Sequence, residues 1–294
     1  NLNLLNMKNF TRTQLVIVLI LSLLSALEPF SIDLYLPGFL RIADYFATDI
    51  KSVQMSISTF LGGFAVGQLF WGILSDRYGR KIPIIISLVL FLLATVACIY
   101  VTSIEGFWVA RFFQAFAGCA GVVIARAIVN EYFDESKTMQ VFSLLAIIGG
   151  VAPIVGPVLG NFLIRHFDWQ AAFFTLIAIA VFCIVMVLFF LPETLVKRAS
   201  TQNTEKGQML KDFKVILQNM VFLKYTLIGS LTYSVLMIYL ANAPYVIMDY
   251  GGLSSNVFSA IFAFNAVGLI LGSWLANSVL SGRFSSAHIV RYAI

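Results

Sequence analysis

Glu28, Asp33, Arg111 and Arg126 stand inside or at the edges of long apolar runs. A charge at the middle of a bilayer costs about 2.5–3.5 kcal/mol on insertion scales, so each of these residues is a functional candidate by default. Asp33 precedes "LYLP", where Pro37 removes a backbone donor and invites a helix break, as happens where helices line cavities. Arg111 and Gln114 are three residues apart, and Gly118 and Gly121 follow at steps of four and three residues, which makes one polar and small stripe that must face protein or a cavity. Arg111 is the expected counter-charge for Asp33, because opposite charges lower each other's insertion cost. Two readings stand at this point: a static ion pair that stabilises packing, and a carboxylate whose proton affinity changes with conformation. The second is the physical requirement for coupling to protons, each of which releases about 2.3 kcal/mol in moving down 100 mV. Glu28 lies five residues before Asp33, roughly 140° around a helix, so the two are expected on different faces. Arg126 falls near the end of its run, from where a long side chain can snorkel.

The elements that position these groups follow from composition. The 294 residues are 60% hydrophobic and 11% charged, against about 25% charged in a soluble domain. With 19 Lys/Arg and 14 Asp/Glu the chain cannot cover an aqueous surface of its size, which almost excludes a water-soluble enzyme. Crossing about 30 Å of hydrocarbon takes about 20 apolar residues. Eight runs qualify, near residues 15–36, 53–74, 82–101, 107–128, 140–164, 171–191, 222–248 and 257–280. Placing the N-terminus in the cytoplasm puts fourteen cations on that side and only Arg41, Lys51 and Arg165 on the other, as the positive-inside rule requires. Residues 1–195 therefore read as a six-span half, 196–221 as a polar cytoplasmic linker, and 222–294 as an incomplete second half. The last residues, "HIVRYAI", read as the start of another helix, and Met7 is an alternative start, so the sequence is expected to be part of a longer protein.

In span five Gly149, Pro153, Gly156 or Pro157, and Gly160 recur every three or four residues, a nearly bare helix face that serves equally as a packing seam or a sliding surface. Cys98, Cys119 and Cys183 lie within apolar runs as small hydrophobes. His166 and His288 have no metal-ligand spacing, and neither a nucleophile–base pair, a phosphate-cradling loop nor a nucleic-acid motif is present, so no cofactor, metal or nucleic acid is expected.

"GQLFWGILSDRYGRK", residues 67–81, resembles the signature between helices two and three of the major facilitator superfamily, with Gly72, Asp76, Arg77, Gly79, Arg80 and Lys81 in register. "RFFQAFAG" resembles the family's helix-four motif, and span five its antiporter motif. "SIDLYLP", "LPETL" and residues 250–273 narrow the resemblance to drug:proton antiporters of the bicyclomycin-resistance (Bcr/CflA) type. Trp169-Gln170 and Glu131 depart from the family's commoner Trp-Arg and Asp. The resemblance implies an all-α membrane fold of twelve helices in two six-helix halves, here the first half and about two helices of the second. It also implies a bacterial inner-membrane location and export of small lipophilic drugs in exchange for protons, by a monomer when full length. Within that expectation Asp33, Arg111, Gln114 and Glu28 serve proton coupling, and the residue 72–81 loop serves gating. Aromatic and amide side chains would line the substrate cavity, with Tyr35, Tyr239, Asn242 and Asn265 as candidates, although ordinary packing accounts for each equally. A metabolite exporter and a non-transporting membrane scaffold are the rival readings; the scaffold would need no titratable carboxylate in helix one.

Overall fold

The computed structural model describes residues 10–195 and 215–275. Most of the expected linker, and the residues beyond 275, lie outside these. Nine α-helices are described: α1 (Arg12–Asp33), α2 (Phe39–Tyr45), α3 (Ile50–Tyr78), α4 (Lys81–Tyr100), α5 (Ile104–Tyr132), α6 (Glu135–Phe167), α7 (Gln170–Phe190), α8 (Met220–Pro244) and α9 (Ser255–Leu275). Among the described residues eight segments are long and apolar enough to span a membrane, and they overlap the eight expected runs. The helices extend a few residues past the apolar runs, because backbone hydrogen bonding continues where hydropathy has already fallen.

Local sequence sets the helix starts. Thr11 and Gln14 form a reciprocal capping box on α1. Asp49 accepts from the Ser52 N–H at 2.8 Å ahead of α3, and Ser103 from the Gly106 N–H at 3.1 Å ahead of α5. The break expected near Pro37 is present: α1 stops at Asp33, a single 3-10 turn covers Leu36–Gly38, and α2 follows. Past Pro244, α8 continues as a six-residue π-helical stretch, Tyr245–Tyr250.

Membrane helices associate by close backbone approach rather than by hydrophobic drive. A Cβ on Gly63 of α3 would run into the backbone oxygen of Phe112 on α5, and one on Gly67 would lie 2.5 Å from the oxygen of Phe116. Gly121 of α5 likewise meets the Leu24 carbonyl of α1 at 2.8 Å. Trp71 is fully buried at the same α3–α5 seam and donates its indole N–H to the Phe116 carbonyl at 2.7 Å. Chain direction alternates from span to span, so the ends of the bundle are identified by their charges, the Arg80 end and the Arg41 end.

Candidate functional site: a carboxylate-lined cavity between helices

A cavity of about 510 Å³ lies among α1, α5, α6 and α8, within the range of small-molecule sites. From α1 it takes Ser25, Glu28, Pro29, Ile32 and Asp33; from α5, Val122 and Arg126. From α6 it takes Phe142, Leu145, Ala146, Gly149 and Pro153; from α8, Tyr233, Leu236, Met237 and Leu240.

Asp33 is 2% exposed, at the last residue of α1. Among the described residues its carboxylate has no ion pair and no hydrogen bond. The small residues of α6 make room for it. A Cβ on Gly156 would overlap that of Asp33, and one on Gly160 would overlap the Leu34 carbonyl. The α6 stripe is thus divided among three neighbours. Gly156 and Gly160 seat the end of α1, Gly149 and Pro153 border the cavity, and the Pro157 carbonyl accepts the Ser259 hydroxyl of α9 at 3.1 Å.

Glu28 and Asp33, expected on different faces of α1, both border this cavity. One expectation about the charges is corrected: Arg111 is not paired with Asp33. Its guanidinium is fully buried among rings instead, 4.4 Å from the centre of Tyr35, 4.3 Å from Phe60 and 5.8 Å from Phe173. It donates to the side-chain oxygen of Gln114, whose amide donates to Thr95 at 2.8 Å. Nε and one terminal nitrogen of Arg111 are buried without a hydrogen-bond partner, so the ring faces carry most of its compensation. Aromatic faces offer a cation an attraction that spacing along α5 alone does not reveal.

None of the four substrate-binding candidates borders this cavity. Tyr35 is 1% exposed beneath Arg111, with its hydroxyl 2.9 Å from that of Ser56. Asn242 donates to the Ile238 carbonyl of its own helix, and Asn265 donates to the Tyr239 hydroxyl at 2.6 Å. The aromatic and thioether walls come from Tyr233, Phe142 and Met237, which no motif in the sequence distinguishes.

At the Arg80 end, the residue 72–81 motif forms a charge cluster. Gly79 turns the chain with φ 92°, and a Cβ there would lie 2.6 Å from the Glu193 carboxylate. Arg80 binds Asp76 at 2.6 Å, the Ser75 hydroxyl at 2.8 Å and Glu131 of α5 at 2.5 Å. Glu193, just after α7, accepts from the backbone N–H groups of Arg80 at 2.8 Å and Lys81 at 3.1 Å, which places a carboxylate on the N-terminus of α4. Its burial alone would raise its pKa, but the N–H groups of Arg80, Leu195 and Lys81 hold it below the ordinary value. Lys81 reaches the Leu188 carbonyl at 2.8 Å, and Arg77 lies over the Tyr78 ring at 5.4 Å. Gly72 has ordinary room for a side chain, 3.8 Å from Val123, so packing does not require a glycine there. The roles of Glu131 and Glu193 go beyond the sequence reading, because both act across long separations in the chain.

At the Arg41 end, Arg41 lies 3.5 Å from Asp168 and donates to the Ile164 carbonyl at 2.5 Å. Every described hydrogen bond that joins α8 or α9 to the first six spans also lies toward this end. Gln54 donates to the Ala241 carbonyl at 3.0 Å, and Asn256 accepts from Asn161 at 2.6 Å and from Arg165 at 3.1 Å. The Ser259–Pro157 bond belongs to the same set.

Residues 21–291 match the family model of the Major Facilitator Superfamily. The chain is 32% identical over 285 residues to an uncharacterized MFS-type transporter, YdgK, of Bacillus subtilis, covering 96% of this chain and 70% of that one. It is 28% identical to a bicyclomycin resistance protein homolog of Haemophilus influenzae, over 97% and 71% of the two chains. It is 31% identical to the multidrug resistance protein MdtL of Klebsiella pneumoniae, over 87% of this chain and 64% of the relative. The D-xylose-proton symporter shares the fold with a TM-score of 0.70 at 15% identity, over 91% of this chain and 69% of the symporter. On these grounds the chain belongs to the Major Facilitator Superfamily and is a multi-pass membrane transporter, not an enzyme.

Proposed function

We propose that the protein exports small lipophilic molecules in exchange for protons by alternating access, as a monomer in a bacterial inner membrane, with the Arg80 end in the cytoplasm. The observation that carries this reading is Asp33, a buried carboxylate without an ion pair or hydrogen bond among the described residues, at the wall of a cavity of drug size. Such a group can exchange a proton when the cavity changes its connection to water, without first breaking an ion pair. The hydrogen bonds at the Arg41 end support a state closed on that side, in which a molecule reaches the cavity from the Arg80 end. In this reading substrate enters from the cytoplasm as Asp33 releases its proton, the first six spans rock against the later ones, and a proton returns from outside as substrate leaves. The domain boundaries at residues 195 and 222 separate the rocking units, and the Arg80 cluster locks helices within the first of them. The names of the relatives, among them multidrug and bicyclomycin resistance proteins, favour drugs over nutrients.

The test is uptake of a panel of drugs and metabolites into everted membrane vesicles that contain the protein, with the proton gradient imposed or collapsed. Drug uptake that needs the gradient and disappears in Asp33→Asn is the expected result. Uptake of metabolites alone supports an endogenous exporter. Full drug uptake by Asp33→Asn overturns Asp33 as the proton carrier.

A further inference from the structure

We propose that Gln54 is the latch of a register switch in α8, holding Tyr245–Tyr250 in its π-helical arrangement while the Arg41 end is closed. The proposal adds a bending element to the rocking units and rests on the alternating-access part of the export reading.

A membrane helix that gives up backbone hydrogen bonds must find other donors for its carbonyls, because lipid supplies none. At its outer third α8 gives up two in succession. Pro244 has no N–H, so the Leu240 carbonyl lacks its α-helical donor. The Tyr245 N–H bonds to the Asn242 carbonyl, three residues back, and so does not serve Ala241 four residues back. The Ala241 carbonyl is the atom to which Gln54 of α3 donates, at 3.0 Å. A side chain from the first six spans thus supplies the donor that the helix withholds. The start of α3 presents it from a fixed base: Asp49 accepts from the Ser52 N–H at 2.8 Å, and the Trp108 indole N–H donates to the Ser52 carbonyl at 2.8 Å. Lys51, on the same turn of α3, lies 5.7 Å from the centre of the Tyr245 ring.

Beyond the break the helix carries one surplus residue. The Gly251 N–H bonds to the Val246 carbonyl, five residues back, at 3.0 Å, which is the wide spacing of a π-helix. A Cβ on Gly251 would lie 2.8 Å from the Ile247 oxygen, so the wide turn closes only on glycine. Gly252 follows with φ 61°, and the pair leaves room for a residue to pass from helix into loop. A fixed kink at Pro244 would need no such surplus. When rocking carries α3 away from α8, the Ala241 carbonyl loses Gln54, and the Tyr245 N–H is the nearest replacement. Taking it restores α-helical spacing, passes the surplus residue to Gly251 and Gly252, and turns the residues beyond the break by up to about 100°, one residue's share of a helical turn. Met248, 3% exposed in the closed arrangement, then leaves its buried place. Leu240 borders the cavity, so the segment that turns begins at the cavity wall.

The test places a thiol at the turning segment, Met248→Cys, and follows its reaction with a sulfonated maleimide by mass shift, in the purified full chain in lipid nanodiscs. The native cysteines are buried. Gln54→Glu keeps the size of the side chain and removes its N–H donor, and should raise the labelling rate about fivefold, the population shift expected from one lost hydrogen bond. Gln54→Lys keeps a donor and should label like the parent. Pro244→Ala leaves Gln54 in place and returns an N–H to the helix, so it should also raise the rate, and adding Gln54→Glu to it should give no further rise. An unchanged rate in either Gln54→Glu or Pro244→Ala, equal rises in Gln54→Glu and Gln54→Lys, or rises that multiply in the double variant overturns the proposal. The assay needs no transport. The expected labelling pattern without gradient-driven drug uptake removes the export reading alone, and gradient-driven uptake with labelling indifferent to Gln54 removes this inference alone.

Discussion

Gly156 of α6 sets the position of Asp33, because a Cβ at residue 156 would occupy the space of the Asp33 Cβ. The bare face of α6 is therefore a fitted seat for the end of α1 as well as a general packing seam. Gly156→Ala should force the two helices apart and cost about 1–3 kcal/mol. Gly149, two turns earlier on the same helix, has nothing within 4 Å of where a Cβ would stand, so Gly149→Ala should be near neutral for stability. Thermal unfolding of the two variants in detergent checks the contrast, and equal losses would show that α6 is not seated on Asp33.

Arg111 supplies a second test, because its surroundings distinguish a guanidinium from a plain charge. A flat delocalised cation stacks on the rings of Phe60 and Tyr35, whereas an ammonium is more strongly hydrated and cannot present the same fork to Gln114. Arg111→Lys should lose about 1–2 kcal/mol of stability. Tyr35→Phe keeps the ring and loses only the hydroxyl contact with Ser56, so it should cost about 1 kcal/mol or less. Unfolding midpoints for both variants give the comparison.

Much of the architecture is legible in the sequence because insertion into lipid leaves few choices. Runs of about 20 apolar residues locate the eight spanning segments found among the described residues, and Pro37 marks the break after α1. The site is legible only where chemistry is unusual for a membrane. Asp33, Glu28 and Arg126 stand out as charges, and all three border the cavity. Tyr233, Phe142 and Met237 do not, because an apolar wall residue is indistinguishable in sequence from a lipid-facing one. The expected pairing of Asp33 with Arg111 fails because electrostatic complementarity along the sequence omits the aromatic alternative that Tyr35, Phe60 and Phe173 provide. Glu131 and Glu193 escape notice as ligands of the loop for a related reason: their partner Arg80 lies 51 and 113 residues away.

The Arg80 cluster combines a nearly buried guanidinium with three carboxylates. The Arg80 side chain is 6% exposed and that of Glu131 25%. Removing the cation leaves Glu131 partly buried and unpaired, so Arg80→Ala should cost about 3 kcal/mol. Arg77, which lies exposed on the Tyr78 ring, should tolerate alanine with a change within about 0.5 kcal/mol. Unfolding midpoints again check the difference, and a comparable loss for both would assign the motif to the whole loop rather than to one clamp.

Glu193 gives this end of the bundle a defined pH response. Its folded pKa is held below the ordinary value of 4.5, so its contribution is complete above about pH 4.5 and is lost as pH falls through the depressed folded value. Glu193→Gln should lower stability by about 0.5–1 kcal/mol at pH 7, the range for a charge at a helix N-terminus. The gap between wild type and variant should narrow as the pH is taken below 4. A gap that stays constant from pH 7 to pH 3.5 would mean that the hydrogen bonds, not the charge, hold the N-terminus of α4.

Alternating access requires the contacts at the Arg41 end to part during each cycle. Asn161 of α6 and Asn256 of α9 are joined by a 2.6 Å hydrogen bond, and Arg165 reaches the same Asn256 oxygen. Replacing both asparagines, Asn161→Cys with Asn256→Cys, places two thiols where a disulfide can form in the closed state. The native Cys98, Cys119 and Cys183 are buried and do not compete for an added oxidant. Oxidation should cross-link the pair in resting vesicles and abolish gradient-driven uptake, and reduction should restore it. Each single cysteine variant should be insensitive to the oxidant. If the cross-linked protein still transports at the full rate, these helices do not separate at the Arg41 end, and the release path lies elsewhere in the bundle.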